Sequence, residues 1–453
     1  MKKDSVLNMT EGNPYRLILT FGLPVMFGII FQEFYHVVDS AIVGKALGGS
    51  ALAAVGATGS INTLIIGGCT GICSGFSIPV AQQIGAKNDA EVRRYVINGT
   101  LLCLLLTVLL TTAGPLLCRD ILIAMNTPED IFQRSYSYIF TILAGLPAYL
   151  LYNYTTGILR ALGDSRSPVI WLSVASIVNI VLDLLFILAF RLDVFGAALA
   201  TDLSQALAGI GCLWSLIRKH PVLRTRRSDW RLSRQHCSIL CSTALPLGLM
   251  SSITAIGSVL LQSSINALGT VYVTAATTAN KVHAIMYRPL EAIWTSMGTY
   301  CAQNVGASRW DRLVRGMRAA LVLDAAYSVL AFAIAFFFSN PMFMLFLDES
   351  SRSILPFSRQ YLLTTVGSYF LLGMLGVFRP ALQGMRKTIY STISGLTEMV
   401  GRGLTGFLIP FFGFQAACFS CTIAWILAVA IVAPAFFICY HRAVRAAPGL
   451  PQR

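Results

Sequence analysis

The sequence predicts an all-α integral membrane protein of twelve transmembrane helices, arranged as two six-helix bundles. Three observations lead to this prediction: 55% of the 453 residues are hydrophobic, only 12% are charged, and long apolar stretches recur along the chain. A soluble domain carries roughly 25% charged residues, so this chain cannot cover its surface with polar side chains in water. The composition therefore excludes a soluble enzyme, a disordered scaffold and a secreted disulfide module.

Twelve apolar stretches are long enough to cross a hydrocarbon layer ~30 Å thick, which needs about 20 helical residues. The apolar runs are continuous rather than alternating, so they predict helices and argue against a membrane β-barrel. The predicted spans are 15–43, 51–82, 92–116, 131–159, 168–190, 195–217, 238–267, 275–301, 313–338, 357–382, 389–411 and 415–440.

The distribution of basic residues predicts the orientation of these spans. Of the 34 Lys and Arg residues, 24 fall in loops on the side of the N-terminus and six in loops on the other side. Basic loops stay in the cytoplasm, so we expect a multi-pass membrane protein with both termini cytoplasmic. The net charge of +14 is then a topology signal, and we expect the lipid bilayer, not nucleic acid, as the macroscopic partner.

The two halves of the sequence repeat each other. VAQQIGA at 80–86 recurs as CAQNVGA at 301–307, and GLPVMFGI at 22–29 recurs as ALPLGLMS at 244–251. We therefore expect an N-terminal six-helix bundle (1–217), a basic cytoplasmic linker (218–237) and a C-terminal six-helix bundle (238–453). Because six is even, both bundles insert in the same direction, and the repeat has a parallel pseudo-twofold axis along the membrane normal.

Two parallel bundles around a central cleft are typical of secondary transporters, which work by rocking one half against the other. The sequence contains no GxxxxGK[ST] motif for ATP binding. An ion gradient or the substrate itself must therefore supply the driving force.

The first half carries polar and ionisable side chains inside its predicted spans, where a charge costs at least about 2.5–3.5 kcal/mol. Such residues are functional candidates by default. Asp202 in the sixth span is one of them, and its role stays open. Residues on one helix face recur every three or four positions, and three groups have this spacing: Gln32, His36 and Asp39 in the first span, Asn179 and Asp183 in the fifth, and Thr201 and Gln205 in the sixth.

These side chains predict a buried polar pocket that binds a cation. Two carboxyl groups with little water around them repel each other, so at least one of Asp39 and Asp183 is expected to bind a proton. Their oxygens, with Asn179 and Thr201, would alternatively bind Na⁺, which prefers oxygen ligands. A structural alternative also stays open, in which the acids pair with basic residues or cap helix ends.

The second half differs, because its intramembrane charges can satisfy each other. Lys281 has no partner at helical spacing, and Arg379 is the only charged residue of the tenth span beyond Arg359 in its first turn. We therefore expect any coupling chemistry in the first half. Two pairs have the spacing of helical ion pairs: Glu398 with Arg402, and Arg288 with Glu291.

Pro24 lies inside the first span and removes a backbone hydrogen bond there, so it predicts a bend. Asp39 lies on the same helix, and its charge state would then bias a straight–bent equilibrium. Pro246 is the repeat partner of Pro24, so the bend is alternatively a feature of the fold.

Several motifs resemble the multidrug and toxic compound extrusion (MATE) family. They are LPVMFGIIFQEFYHVVDSAIVGKALGGSALAAVG, VAQQIGAKN, LRALGDSRSP, NIVLD and the CAQNVGA repeat, and the resemblance covers roughly residues 9 to 441. Within the family the chain looks most like the DinF-type branch of bacteria and archaea, which implies a prokaryotic plasma membrane. The resemblance implies a V-shaped pair of bundles that exports cationic or amphipathic organic compounds in exchange for H⁺ or Na⁺.

The resemblance also implies roles for individual residues. It assigns the cation-coupling site to Asp39, Asn179, Asp183 and Thr201, and helix bending to Pro24. The acids that another branch of the family carries in its second bundle have no counterpart here, and His36 and Asp202 match no family position. The supporting polar network is expected at Gln32, Tyr35, Tyr138 and Asn153, to which helical spacing adds Gln205.

We thus expect a secondary active antiporter that works as a monomer, exports small organic cations or amphiphiles, and needs no cofactor besides the coupling ion, H⁺ or Na⁺. A flippase for a lipid-linked or amphiphilic substrate is the alternative, and the basic residues Lys281, Arg288 and Arg379 favour it. An intramembrane enzyme is not expected, because the five His residues show no catalytic spacing. A receptor or structural membrane protein would not need buried acids.

Overall fold

The computed structural model describes residues 6–125, 127–224, 229–346 and 349–446, with side chains omitted for 349–351. Of the basic residues counted above, Lys2, Lys3, Arg226, Arg227 and Arg453 lie outside these ranges. Within the ranges the chain forms sixteen α-helices and no strand. A π-helical turn, Leu184–Ala189, continues α7, and two short 3₁₀ helices (Pro221–Leu223 and Glu349–Ile354) lie between helices.

The helices follow one another in the order α1 Pro14–Leu47, α2 Gly49–Ala57, α3 Gly59–Gly85, α4 Asp89–Ala124, α5 Glu129–Ala144, α6 Leu146–Ala161, α7 Arg166–Asp183, α8 Asp193–Lys219, α9 Arg234–Asn266, α10 Thr270–Met286, α11 Arg288–Gly306, α12 Trp310–Phe343, α13 Leu355–Gly367, α14 Tyr369–Gly384, α15 Ile389–Phe412 and α16 Phe414–Ala446.

Each predicted span coincides with one helix or with two consecutive helices. The second, fourth, eighth and tenth spans are each broken in two, so the breaks fall in corresponding spans of the two halves. In the described part of the chain, eight helices are individually long and apolar enough to cross a membrane, and the pair α13–α14, bent by 41°, gives a ninth span. The chain is therefore a multi-pass, all-α membrane protein.

Two of the breaks have a local cause in the sequence. Pro147 follows the break at Gly145 and Pro289 follows the break at Tyr287, so each proline lies in the first turn of the next helix. Proline is tolerated there because its missing N–H needs no partner in the first turn, whereas it interrupts the interior of a helix. Because the sequence stays apolar on both sides of each break, hydropathy alone does not reveal them.

The chain divides into two compact units. The N-unit contains Phe27–Gly248 and the described residues up to Asn8, and the C-unit contains Met9–Met26 and the residues from Leu249 onward. Two helices pass from one unit to the other, α1 after Met26 and α9 after Gly248, each two residues beyond a proline, Pro24 and Pro246. This division differs from the contiguous halves 1–217 and 238–453: the N-terminal segment belongs with the second unit, and the linker region 218–237, as far as it is described, with the first.

Long-range hydrogen bonds explain why the N-terminal segment belongs to the C-unit. The Met9 N–H donates to Oε1 of Gln303 over 3.0 Å, and Nδ2 of Asn304 donates to the Met9 carbonyl over 3.0 Å. Nη1 of Arg309 donates to the Thr10 carbonyl over 2.9 Å. Gln303 and Asn304 belong to the repeated CAQNVGA motif, so this copy of the motif holds the N-terminal segment.

A second set of contacts holds the linker against the start of α4 in the N-unit. Oδ1 of Asn98 accepts the Ser233 N–H over 2.9 Å, and Arg93 forms an ion pair with Asp229 at 3.3 Å. His236 bonds Glu91 over 2.8 Å. The described part of the linker is therefore tied to α4.

Candidate functional site

Asp39 on α1 and Asp183 on α7 lie next to each other in the N-unit, where their carboxyl groups interact electrostatically. Asp183 is fully buried and Asp39 is half-buried. No formed hydrogen bond joins the two groups: Oδ1 of Asp39 and both carboxyl oxygens of Asp183 are buried without a hydrogen-bond partner among the described residues. Two acids from different helices thus share one buried space.

Asn179 lies one helical turn before Asp183 and is also buried, with 1% of its surface exposed. Neither its amide nitrogen nor its amide oxygen has a hydrogen-bond partner in the described structure. Buried polar groups in proteins are normally hydrogen-bonded, because an unpaired one loses the interactions it made with water. Unpaired oxygens and an unpaired amide side by side are what a site for a small cation requires.

No basic side chain in the described part of the chain forms an ion pair with these acids. None of the ion pairs among the described residues includes Asp39, Asp183 or Asp202. Arg134 lies on α5 one turn before Tyr138, but it pairs with Asp193 at 2.8 Å. The described residues also contain no group of three or more His, Cys, Asp or Glu that would hold a metal ion. The alternative in which basic partners neutralise the acids is therefore not what the geometry favours.

Tyr138 on α5 connects the acids of three helices. Its buried ring lies close enough to Asp39, Asp183 and Asp202 to feel the charge of each carboxyl group. Asp202 lies on α8 against Gly145, in the break between α5 and α6. Thr201, the neighbour of Asp202, is half-buried, and no hydrogen bond joins it to the aspartates in the described structure.

The predicted polar residues form a second group beside the acids. The buried hydroxyl of Tyr35 interacts with the side chains of Gln32 and Gln205 and lies near Tyr149. Asn153 bonds within its own helix, where its Nδ2 donates to the Tyr149 carbonyl over 2.9 Å. The structure thus brings Gln32, Tyr35 and Gln205 together, while Asn153 belongs with Tyr149.

The π-helical turn at Leu184–Ala189 begins directly after Asp183 and was not expected from the sequence. Such turns are rare in proteins overall, but those that occur are often found at functional sites, where they interrupt the regular hydrogen bonding of the helix. No composition signal marks this turn. Its position adds a local irregularity at the one fully buried acid of the pair.

Asp324 on α12 is a buried acid that the sequence analysis overlooked. It is fully buried, and neither carboxyl oxygen has a hydrogen-bond partner among the described residues. The sequence did contain a sign of this buried acid: after Arg315 and Arg318 in its first turns, the predicted span 313–338 has Asp324 as its only charged residue.

Apart from Asp324, the acids inside the membrane spans of the C-unit pair with arginines, as the spacing of Glu398 with Arg402 and of Arg288 with Glu291 indicated. Glu398 forms ion pairs with two guanidinium groups, those of Arg379 and, at 3.7 Å, Arg402. Arg288 pairs with Glu291 at 2.7 Å. Lys281, which lacks an acid at helical spacing, lies over the ring of Phe346 at 5.3 Å.

One acid outside the spans has a clear structural role. Asp164, in the loop between α6 and α7, accepts the Ser167 N–H over 2.9 Å and the Ser167 hydroxyl over 2.6 Å, and lies 3.5 Å from Nε2 of His220. Burial acts to raise the pKa of Asp164, but the interactions with His220 and Ser167 outweigh it and hold this pKa below its usual value. Asp164 therefore ties the start of α7 to the end of α8.

Comparison with known proteins gives one family for this architecture. The chain is 26% identical to the probable multidrug resistance protein YoeA of Bacillus subtilis, over 85% of each chain, and 25% identical to an FAD transporter of Shewanella oneidensis, again over 85% of each chain. A crystal structure of MATE in complex with MaL6 has the same fold, with a TM-score of 0.91 at 21% identity, and the match covers 98% of this chain and 100% of that one. The sequence profile of the MatE family matches residues 24–185 and again 246–405, once in each half and over most of the chain, and the protein therefore belongs to the MATE family of membrane transporters.

Proposed function

We propose that this protein is a secondary active antiporter that exports cationic or amphipathic organic compounds by alternating access, in exchange for an inward flow of H⁺. The observation that carries the proposal is the pair Asp39 and Asp183, two neighbouring carboxyl groups, one half-buried and one fully buried, that form no ion pair with any described basic residue. The proposed membrane is a prokaryotic plasma membrane, with both termini in the cytoplasm and a single chain as the working unit. The relatives come from bacteria, which supports this location.

The coupling site in this proposal lies in the N-unit. Asp39 and Asp183 bind the proton, because two carboxyl groups in one buried space cannot both stay ionised at low cost. Asn179 supplies amide groups beside them, and Thr201 adds a hydroxyl on the neighbouring helix. Tyr138, which lies within electrostatic range of Asp39, Asp183 and Asp202, senses the change of charge and passes it to α5.

Protonation drives the cycle because it changes the affinity for the exported compound. Linkage makes the effect reciprocal: if a bound proton weakens substrate binding, a bound substrate weakens proton binding by the same factor. Pro24 bends α1 as the charge on the same helix changes. The polar groups of Tyr35, Gln32 and Gln205 line the path of the substrate.

Sodium is the alternative coupling ion, and the ligands would then be Asp39, Asn179, Asp183 and Thr201. We favour H⁺ because Thr201 makes no hydrogen bond with the aspartates in the described structure, whereas the two carboxyl groups are already neighbours. The flippase alternative is not favoured, since relatives are named for multidrug resistance. A relative named as an FAD transporter makes a flavin nucleotide a necessary second test substrate.

The decisive experiment is transport in proteoliposomes with pH and Na⁺ gradients imposed separately. Ethidium and FAD serve as the two test substrates. We expect the pH gradient alone to drive ethidium out against its concentration gradient, and Asp39→Asn to abolish this driven transport while leaving membrane insertion intact. Asp120→Asn is the matched control, because Asp120 is an exposed acid on α4.

Three results would contradict the proposal in different ways. Transport driven by a Na⁺ gradient alone would show that Na⁺, not H⁺, is the coupling ion. Unchanged transport in Asp39→Asn would show that Asp39 is not part of the coupling site. Absence of gradient-driven transport of both substrates would overturn antiport itself.

A further inference from the structure

Asp324 is a buried acid that the proposed coupling mechanism does not use. It lies in the middle of α12, within the C-unit, with 0% of its surface exposed. Both oxygens of its carboxyl group are buried without a hydrogen-bond partner among the described residues. Ser328 contacts only the backbone there, since its hydroxyl donates to the Asp324 carbonyl over 2.7 Å.

The space around Asp324 is provided by a glycine on the neighbouring helix. A Cβ atom added to Gly373 of α14 would lie 2.8 Å from Cβ and 3.4 Å from Oδ2 of Asp324. Only a residue without a side chain lets α14 approach α12 this closely at the level of the carboxyl group. The acid is therefore packed between two helices and not turned toward lipid.

The charged groups on the helices that pack against α12 have other partners. None of the ion pairs in the described ranges includes Asp324, so no cation neutralises it. The charged residues of α10, α11, α13 and α14 are engaged as follows: Lys281 with the Phe346 ring, Arg288 with Glu291, Arg359 with the Phe336 carbonyl and ring, and Arg379 with Glu398.

The uncharged titratable groups of these helices form a chain that leads toward Asp324. Tyr327 lies three residues after Asp324 on α12, and Tyr369 lies four residues before Gly373 on α14, so both tyrosines lie about one turn away along the same helix contact. Tyr327 and Tyr369 interact with each other, and the Tyr369 hydroxyl bonds Nδ1 of His283 over 2.8 Å. The ring of His283 stacks on Tyr287, whose hydroxyl accepts from Arg288 over 2.6 Å.

These side chains extend from the neighbourhood of the buried acid to Arg288 and Glu291. Arg288 pairs with Glu291, whose side chain is 34% exposed. Hydroxyl and imidazole groups both donate and accept hydrogen bonds, so they can pass a proton along such a row. Within this row Tyr369 bonds His283, whereas His283 only stacks on Tyr287 and the Tyr327 hydroxyl donates to the Met286 carbonyl. A proton that moves between Glu291 and Asp324 along these groups therefore requires the side chains to rearrange.

We propose that Asp324 is a second proton-binding site, located in the C-unit, which takes up a proton on one carboxyl oxygen and releases it during each transport cycle. The proposal rests on the proposed proton antiport. An acid in this position is functional by default, since an ionised carboxyl without partners is strongly disfavoured inside a membrane protein and a permanently neutral one gives no advantage over an apolar side chain. The exported compound would then be exchanged for protons from two sites in separate units.

The stoichiometry of transport tests this proposal. In proteoliposomes, the ratio of protons to ethidium follows from the pH gradient that just balances a fixed ethidium gradient. We expect Asp324→Asn to lower this ratio by one proton relative to the wild type and Asp120→Asn to leave it unchanged. An unaltered ratio in a folded, transporting Asp324→Asn protein would overturn the second site.

Infrared difference spectroscopy supplies a readout that needs no transport. We expect the carbonyl band of a protonated carboxylic acid to appear and disappear on pH titration of the wild type, to be reduced in Asp324→Asn, and to shift in Asp324→Glu. If the asparagine variant fails to fold, the shift in the glutamate variant decides the matter. A band that both variants leave untouched shows that Asp324 does not titrate.

The two proposals fail in distinguishable ways. A wild type that a pH gradient does not drive overturns the proposed function. A wild type that is driven by the pH gradient, together with an Asp324→Asn variant of identical stoichiometry and infrared titration, overturns the second site alone.

Discussion

The carboxyl group of Asp202 occupies the space that a side chain on Gly145 would need. Gly145 lies in the break between α5 and α6, and a Cβ atom built there overlaps the Asp202 carboxyl group. The break and the acid are therefore linked: α8 can place a carboxyl group beside the α5–α6 junction only because the junction residue has no side chain.

Replacement of Gly145 by alanine should therefore displace Asp202 or open the junction. Overpacking a site of this kind costs typically about 1–3 kcal/mol, and we expect lower thermal stability together with reduced transport. Gly157→Ala is the matched control in α6, because its added Cβ would lie at an ordinary 3.4 Å from its nearest neighbours. Equal melting temperatures for the two variants would show that Asp202 moves freely.

The two acids of the coupling site should act as one unit. Asp39→Asn and Asp183→Asn each remove one member of a pair that shares a proton, so each variant alone should lose transport driven by a pH gradient. The double variant should then add no further loss, because residues that act together are not additive. Efflux rates of the single and double variants in proteoliposomes check this. A double variant that is clearly slower than both single variants would show two independent sites.

Asp164 should make stability depend on pH in the acid range. Its pKa is lower in the folded than in the unfolded protein, so its contribution is complete above the unfolded value of about 3.9 and is lost as the pH falls through the folded value. Asp164→Ala, which leaves the Arg166 and Ser167 N–H groups without their carboxylate acceptor, should cost about 1–3 kcal/mol at neutral pH. Thermal melts of the purified protein should show this difference shrinking below about pH 4. A difference that stays constant with pH would rule out the charge as its cause.

The ion-pair cluster of the C-unit should depend on its single acid. Glu398→Gln leaves two mostly buried guanidinium groups, Arg379 and Arg402, without a carboxylate, and breaking a buried pair costs about 3–5 kcal/mol. Asp311→Asn is the matched control, because it breaks an exposed ion pair with Arg315 that is worth at most about 1 kcal/mol. Melting temperatures of the two variants compare these costs directly. Similar losses in both would mean that the cluster is hydrated.

The transmembrane helices were predictable because a bilayer demands long apolar runs. The four breaks were less so, since a run such as 131–159 stays apolar across Gly145 and only Pro147 marks the break. The position of Asn179 and Asp183 on the same face of one helix follows from helical spacing. The approach of Asp183 to Asp39 does not, because it depends on how α7 packs against α1, which was available only from the resemblance to a known family.

Neither the division into the N-unit and the C-unit nor the burial of Asp324 could be predicted from local sequence patterns. The repeat suggested contiguous halves, but contacts between Met9 and Gln303 join residues 294 positions apart, and no local pattern encodes such a contact. Asp324 was visible as a lone acid in an apolar span. Its polar neighbours on the same face of α12 are Tyr327 and Ser328, and no second acid or amide lies within one turn, so helical spacing does not mark it as part of a cation site.

The exchange of segments between the units has a consequence for biogenesis. Residues 9–26 leave the ribosome long before their hydrogen-bonding partners Gln303, Asn304 and Arg309, which are synthesised only after the entire first half. The segment must wait without these partners while several helices enter the bilayer, so the first helix settles only late in translation. If the two halves were expressed as separate polypeptides, the first would carry residues 9–26 without their hydrogen-bonding partners. The second would contain those partners but lack the segment that they bind.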